Sequence, residues 1–490
     1  MTTSANSTVS ADSTGSGDST ENGGPIVNTQ APLPELASVL SPDALVTDRD
    51  VIDSYSSDKA LFCPAGAALA LVRAANIDDV AAVMRFAAEH RVPVVTQGAR
   101  TGLSGAANAV DGAILLNVAK LDAILDIDEV DQTCRVQPGV INQDLKHALA
   151  EHGLSYPPDP GSVAISTIGG NVATNAGGMC CVKYGVTKDY VRALTVVLAD
   201  GTVTKLGRQT AKGVAGLDLA ALFIGSEGTL GVIVEITLGL KPLLALPVTG
   251  VGIFPDMESA GRTVSAYMAS GAAPSMLELM DGATVAMVNA YGDFGLPDEA
   301  GALLLVQSDA PGASGVAELE SFQTIAEEQG ASEVFFSDDP ADSELFVAAR
   351  RAVSPALEKY VSTIGGGELI DDVCVPRSRL GEFFARLAEI DARHTVEVST
   401  AGHAGDGNMH PSVLFDASDE ASVAEAKETF AEIMQLGLDL GGTITGEHGV
   451  GYLKRDWLVR ELDAGARSLQ DGIKTAVDPL GILNPGKMLG

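Results

Sequence analysis

The 490-residue chain carries 31 basic against 65 acidic residues, a formal net charge of -34, and a field of that sign repels phosphate backbones and anionic lipid headgroups. Nucleic acid and polybasic membrane docking are therefore poor functions for it, and an anionic substrate would need a locally basic pocket. At roughly 150 residues per domain the length predicts two or three cores, which the 46% apolar content can fill, and no apolar run approaches the roughly 18 residues of a membrane-spanning helix.

Residues 1–35, rich in Ser, Thr, Gly, Asn and Asp, bury too little apolar surface to offset their ordering entropy and are expected to form a disordered tail. The first basic residue is Arg49, so neither a signal peptide nor an Arg-rich transit pattern is expected. A cytoplasmic location follows, with peripheral contact at the inner face of the membrane left open. The five cysteines, Cys63, Cys134, Cys180, Cys181 and Cys374, show no CxxC spacing, which argues against a ferredoxin-type cluster or an all-cysteine zinc site. Their odd number fits a reducing compartment.

From about residue 65 helices and strands alternate. Val80, Val83, Met84 and Ala87 recur at helical spacing, and residues 92–95 read as a short buried strand. It runs into the glycine-rich stretch Gly98-Ala99-Arg100-Thr101-Gly102-Leu103-Ser104-Gly105. Residues 114–118 form the next strand, and Asn142 is placed to cap a helix carrying Leu145, Ala148 and Leu149 that Gly153 closes. Asp200-Gly201 is the turn of a hairpin between residues 194–198 and 203–206. Between these, residues 161–178 are too rich in glycine for a helix and too small in side chain for a core strand, so their chemistry is expected to lie in the backbone. Pro242 and Pro247 bracket a boundary. Beyond it, strand-like runs at 248–254 and 303–307 alternate with helix-like ones at 315–328, 342–360 and 419–440, which predicts a second sheet covered by helices.

Gly98, Gly102 and Gly105, then Gly169, Gly170, Gly177 and Gly178, mark two stretches where backbone can approach a ligand without a Cβ in the way. Successive N–H groups there can cradle a pyrophosphate, and a tight surface loop is an equally good reading of such glycines. The P-loop pattern is absent and the first loop does not read GxGxxG.

Three of the seven histidines gather near one acidic residue. His403 and His410 are seven apart, across Gly405-Asp406-Gly407, and Glu447-His448 stands between glycines. An odd offset on one regular strand puts two side chains on opposite faces, so the histidines can converge only if the chain turns between them. Two histidines and a carboxylate make the three-ligand set of a catalytic metal; a pair of polar residues satisfied by nearby backbone is the competing reading.

Several segments together resemble one family: the first glycine loop, the Gly-Gly-Asn-Val-Ala-Thr-Asn-Ala-Gly-Gly stretch at 169–178, Ile-Gly-Ser-Glu-Gly-Thr-Leu-Gly-Val-Ile at 224–233, and Asp-Pro-Leu-Gly-Ile-Leu-Asn-Pro-Gly-Lys at 478–487. These are similar to the FAD-binding signatures of the vanillyl-alcohol-oxidase type (PCMH-type) flavoproteins, and the match is to the branch of glycolate oxidase catalytic subunits, D-lactate dehydrogenases and D-2-hydroxyglutarate dehydrogenases. Residues 402–411 and 446–454 resemble that branch's metal and active-site motifs. The resemblance implies an α+β fold: a two-part FAD-binding domain at 36–245, an antiparallel-sheet substrate (cap) domain at 246–455 carrying the metal site, and a C-terminal segment, 456–490, returning to the FAD.

It further implies that FAD is held by Gly98, Ala99, Arg100, Thr101, Gly102 and Ser104, by Pro160, Thr167, Gly170, Asn171, Thr174, Asn175 and Gly177, and by Glu227, Gly228, Ile233 and Asn484. No histidine or cysteine stands in the first loop, so the FAD is expected to be non-covalent. His403, His410 and Glu447 are implied as ligands of a divalent metal, with zinc expected, His448 as the base, and Arg350 as the grip on the substrate carboxylate. The implied reaction oxidises D-lactate or glycolate to the 2-oxo acid, with hydride going to flavin N5 and the hydroxyl proton to His448. Ile370, where the hydroxyglutarate enzymes carry a lysine, favours a monocarboxylate. Electrons would leave to an iron-sulfur subunit, a quinone or a cytochrome, and a homodimer stays open. The alternatives are a D-2-hydroxyglutarate dehydrogenase, a flavin-free metal-dependent hydrolase or oxygenase, and a silent accessory subunit.

Overall fold

The computed structural model describes residues 31–489 except 244 and 298. Residues 1–30 of the expected tail lie outside the described residues. Its last residues are ordered, because Leu33–Val39 is a helix whose Leu36 is fully buried against the helix Ile77–His90.

Three sheets carry the fold, with a small two-stranded ribbon beside them. In the first, the strands lie in the order Leu45–Val46, Ala70–Arg73, Ile114–Asn117, Val94–Gln97, and the last three are parallel. Parallel strands are buried on both faces and read as unbroken apolar runs, as Leu115, Leu116, Val94 and Val95 do here, all fully buried. The helix Ile77–His90 makes the crossover. Asn76 caps it by accepting from Asp79 N at 2.9 Å, and Val80, Val83, Met84 and Ala87 face the core as their spacing predicts. The chain's end returns to this sheet: Ile482 and Leu483 are buried in its core, and Leu483 bridges Val94.

The second sheet is antiparallel in the order Ile124–Asp128, Thr133–Val136, Val232–Gly239, Val191–Val197, Val203–Gly207. The third begins at Val248, just past the two prolines, and runs Glu333–Ser337, Val248–Phe254, Ala302–Ser308, Met276–Asp281, Glu397–His403, Asn408–Asp416, Gly366–Ile370. The short strand Val373–Cys374 pairs with Asn408–Asp416 off that path. Helices cover both of its faces. Leu277, Leu279 and Leu304 pack with residues of the helices Met257–Ala269, Ala313–Glu328, Leu380–Asp391 and Glu420–Asp439. Their alternates Met276, Met280, Leu303 and Leu305 pack with Gly282–Tyr291, Pro340–Arg351 and Val353–Ile364. Period-two alternation puts Glu278, Ala401 and His403 on this second face.

Three local expectations change. Residues 168–174, expected to be irregular, form the helix Ile168–Thr174, capped by Thr167 and ended by a left-handed Asn175. Tertiary packing outweighs glycine's poor helix propensity here: Ile168 and Val172 are fully buried, and a Cβ on Gly169 would stand 2.4 Å from Pro138 Cβ. Asn142 does not cap its helix but begins it, because its buried amide instead donates to Asn171 Oδ1 at 2.9 Å. The run 342–360 is two helices, Pro340–Arg351 and Val353–Ile364, joined at Ala352.

Candidate active site

The glycine-bearing segments converge. A Cβ on Gly98 would lie 2.5 Å from Thr167 Oγ1, one on Gly225 3.4 Å from Asn175 Cβ, and one on Gly228 3.7 Å from Thr96 Cβ and 4.0 Å from Asn484 Nδ2. Ala99 and Thr167 line a cavity of about 260 Å³ with Gly139 and Asp144. Many polar side chains nearby are already spoken for by the protein. Asn171 accepts from Asn142, Thr174 Oγ1 donates to Gly170 O at 3.2 Å, and Asn175 Oδ1 accepts from Lys188 N at 2.9 Å. The Arg100 guanidinium lies 4.2 Å over the Tyr55 ring, beside partly exposed Thr101 and Gly102. Ile233 packs into the second sheet's core, and buried Pro160 lies against Gly178, where a Cβ would meet Pro160 N at 2.8 Å. Backbone is thus what this face presents, and only a few buried polar atoms, Thr96 Oγ1, Ser104 Oγ and Asn484 Oδ1 among them, take no partner from the protein.

The histidine cluster lies at the end of the third sheet. Glu397–His403 and Asn408–Asp416 form a hairpin that pairs His403 with Asn408, so His410, two residues on, falls on the same face as His403. The turn the offset requires is there, with Gly407 at φ 82°. His403 Nε2 and His410 Nε2 stand 3.1 and 3.3 Å from the same oxygen, Glu447 Oε1, while Glu447 Oε2 is buried and unpartnered. Burial would hold His403 down, but Glu278 and Glu447 outweigh it and push the imidazole well above its usual value. Burial likewise works against the Glu447 charge, yet His403 and His410 hold that carboxyl well below the usual range. His448 stacks on His410 with centroids 4.8 Å apart and planes 11° apart. Burial lowers its pKa to about 4 despite the Asp372 charge, which keeps the ring neutral at neutral pH.

Gly177 joins the two faces. A Cβ there would lie 2.8 Å from Glu447 Oε2 and 3.6 Å from Cys181 Sγ. Residues 68–207 match the FAD binding domain family and residues 247–488 the family FAD linked oxidases, C-terminal domain. The chain is 38% identical over 419 residues to the glycolate oxidase subunit GlcD of Bacillus subtilis, covering 86% of this chain and 88% of that one. It is 35% identical over 462 residues to a D-lactate dehydrogenase of Anaerostipes hadrus, covering 92% and 95%. This chain belongs to the FAD-linked oxidases. The fold agrees: p-cresol methylhydroxylase with substrate bound superposes with a TM-score of 0.79 at 18% identity, over 93% of this chain and 96% of that one.

As an FAD-linked oxidase, the chain shows a cradle that fits its cofactor: glycines at the closest approaches and unpartnered buried oxygens at Thr96, Ser104 and Asn484. Among the described residues two groups have the spacing of a metal site, His403-His410-Glu447 and Asp372-His410-His448. The first fits a dication better. In the second, Asp372 Oδ2 already accepts from Glu447 N, His448 N and Thr445 Oγ1 at 3.0, 2.8 and 2.6 Å, and the Lys454 ammonium lies 3.6 Å away.

Sequence reasoning missed two carboxylates of this oxidase. Glu278, buried on its strand, takes His403 Nδ1 with both oxygens at 2.9 Å, the position of an outer partner that would fix the tautomer of His403 were it a metal ligand. It also makes an ion contact at 2.8 Å with Arg350 Nε, off the N–H axis. Asp372 stands 3.5 Å from His410 Nδ1 and accepts from Asn408 Nδ2 at 2.9 Å. Burial pushes its carboxyl up, but His448, Lys454 and His410 together outweigh that and hold it well below the usual range. A charged residue amid apolar neighbours in the strand Met276–Asp281 was the one available signal for Glu278.

Proposed function

We propose that this FAD-linked oxidase converts a small 2-hydroxy monocarboxylate, D-lactate or glycolate, to its 2-oxo acid. The observation that carries the reading is the convergence of two imidazole nitrogens and Glu447 beside Gly177, with a neutral His448 stacked against them. The names of the relatives support the substrate class. His403, His410 and Glu447 would hold a divalent metal, for which zinc fits two imidazoles and a carboxylate. When bound, FAD supplies the hydride acceptor, and the metal supplies positive charge that eases loss of the hydroxyl proton.

The chain's own residues do the rest. His448 receives the hydroxyl proton as the substrate carbon gives up its hydride, and its low pKa keeps it in the accepting form. Arg350, whose Nε lies 2.8 Å from Glu278, leaves its two terminal nitrogens for the substrate carboxylate. Glu278 thereby links the carboxylate grip to the orientation of His403. Ile370 offers no charge for a second carboxylate. Electrons pass on to a separate iron-sulfur subunit, quinone or cytochrome.

The test is anaerobic addition of D-lactate, glycolate and D-2-hydroxyglutarate to purified, FAD-loaded protein while the flavin bands are followed. Bleaching by a monocarboxylate that a chelator slows is expected. Bleaching by hydroxyglutarate alone, or by none of them, sinks the reading.

A further inference from the structure

Glu227 lies in the segment that the resemblance assigns to the nucleotide, yet its carboxylate is directed elsewhere. Oε1 accepts from Val450 N and Oε2 from Gly451 N, each at 2.7 Å, across more than 200 residues of sequence. The backbone of Glu227 is pinned on the cofactor side, where its N–H donates to Ala173 O at 2.8 Å and its carbonyl accepts from Asn484 Nδ2 at 2.7 Å. Its φ of 51° is uncommon for a residue with a Cβ. The carboxylate is buried and, among the described residues, forms no ion pair, since the nearby ammonium groups of Lys454 and Lys487 bond to the carbonyls of Ile444, Gly105 and Asn108.

Both carboxylate oxygens therefore join the floor of the cofactor cradle to the loop that carries Glu447 and His448. The fit leaves no slack, because a Cβ on Gly449 would lie 2.8 Å from Glu227 Oε1. Ser104 O grips the same loop further along, accepting from Tyr452 N at 2.8 Å and Leu453 N at 3.0 Å. Val450, whose N–H Glu227 holds, lies two residues past His448, whose own N–H is held from the other side by Asp372 Oδ2 at 2.8 Å.

We propose that Glu227 is a positioning residue, a strut that sets the distance and angle of His448 relative to the flavin, and that it does not itself bind the nucleotide. The inference rests on the function proposed above. A displaced base costs rate at saturating substrate, since misplacement by roughly an ångström can cost 10²-fold. A nucleotide contact would instead cost FAD affinity.

The experiment compares the FAD-loaded wild type with Glu227→Gln, which turns an amide N–H toward a backbone N–H, and with Gly449→Ala, which crowds the same contact from the other side and strains a left-handed backbone, φ 85°, beside His448. Both variants are expected to hold FAD and metal at wild-type stoichiometry and to be reduced normally by dithionite. Substrate-driven flavin reduction should fall roughly 10- to 100-fold in its limiting rate, with KM little changed. Wild-type reduction per bound FAD, a loss confined to KM, or a loss that tracks FAD release or failure to fold overturns the strut. If no 2-hydroxy acid bleaches the wild type, the failure lies with the proposed function, and the inference falls with it.

Discussion

Around Gly98, Thr167 and Gly228 the protein offers backbone, whereas around Glu447 it offers side chains, and the two regions answer to different physics. In the first, most side-chain polar atoms are already satisfied within the protein, and close approach depends on missing Cβ atoms. In the second, Glu278, His403, Glu447, His410 and Asp372 form one chain of carboxylates and imidazoles in contact, firm at 2.9 Å on the His403 side and slack at 3.5 Å on the His410 side. A cradle of backbone tolerates changes of side-chain chemistry but no added volume. A charge network tolerates volume better than a lost proton or charge.

The sharpest break of that contrast is His448→Ala. Removing the proposed general base should cost roughly 10²- to 10⁴-fold in turnover, while the FAD spectrum and metal content should stay as in the wild type, because the proposal places His448 in neither the backbone cradle nor the three-ligand set. Substantial residual turnover by stopped flow would remove it from the base's role. Next in size is Asp372→Asn. It takes the charge away from buried Lys454 and weakens the acceptor shared by two backbone amides and a hydroxyl. Breaking a buried pair from one side costs about 3 kcal/mol or more, so chemical denaturation should show a clear loss of stability at neutral pH.

Glu278→Gln asks how much the firm side is worth. Replacing a carboxylate that fixes a ligand histidine lowers metal affinity roughly 10- to 100-fold, and competition with a chelator would measure it. An unchanged metal affinity would mean that Glu278 serves Arg350 instead. On the backbone side, Gly169→Ala tests volume alone. The new methyl meets Pro138 within 3 Å at its Cα, Cβ and carbonyl oxygen, and such overpacking costs roughly 1–3 kcal/mol. A lower Tm and weaker FAD binding are expected without any change in the pH profile.

The same contrast explains what could be read from the sequence. The strands and helices that bury periodic apolar faces were legible, such as Val80, Val83, Met84 and Ala87, and so was the strand that opens at Val248 just past Pro247. So was the need for a turn between His403 and His410, because parity along a strand is a local rule. Local rules failed where distant contacts decide. The helix Ile168–Thr174 exists because Pro138 and the second sheet's core pack on it, and Asn142 serves Asn171 in preference to its own helix end. Glu278 and Asp372 are far from the histidines in sequence, and only the register of Met276–Asp281 against Glu397–His403, and of Val373–Cys374 against Asn408–Asp416, brings them there. The segment of Glu227 resembles a nucleotide-binding signature, and nothing in that segment announces that its side chain reaches a loop more than 200 residues on.

The smallest expected effect is that of Ala99→Gly, and it tests whether the first loop binds through backbone alone. Ala99 is not among the residues with positive φ, so glycine gains no conformation that alanine lacks. Its methyl borders the cavity shared with Thr167 and Gly139, and removing it opens space without exposing a new donor. The expected cost is the entropy of a freer unfolded chain, roughly 0.4–1 kcal/mol, with FAD affinity unchanged. Acid precipitation should leave the yellow colour in the supernatant for both forms, because the loop carries no histidine or cysteine to bond the flavin. Should the variant bind FAD much more tightly, the methyl obstructs the pyrophosphate, and the cradle would then be limited by one side chain and not by backbone geometry alone.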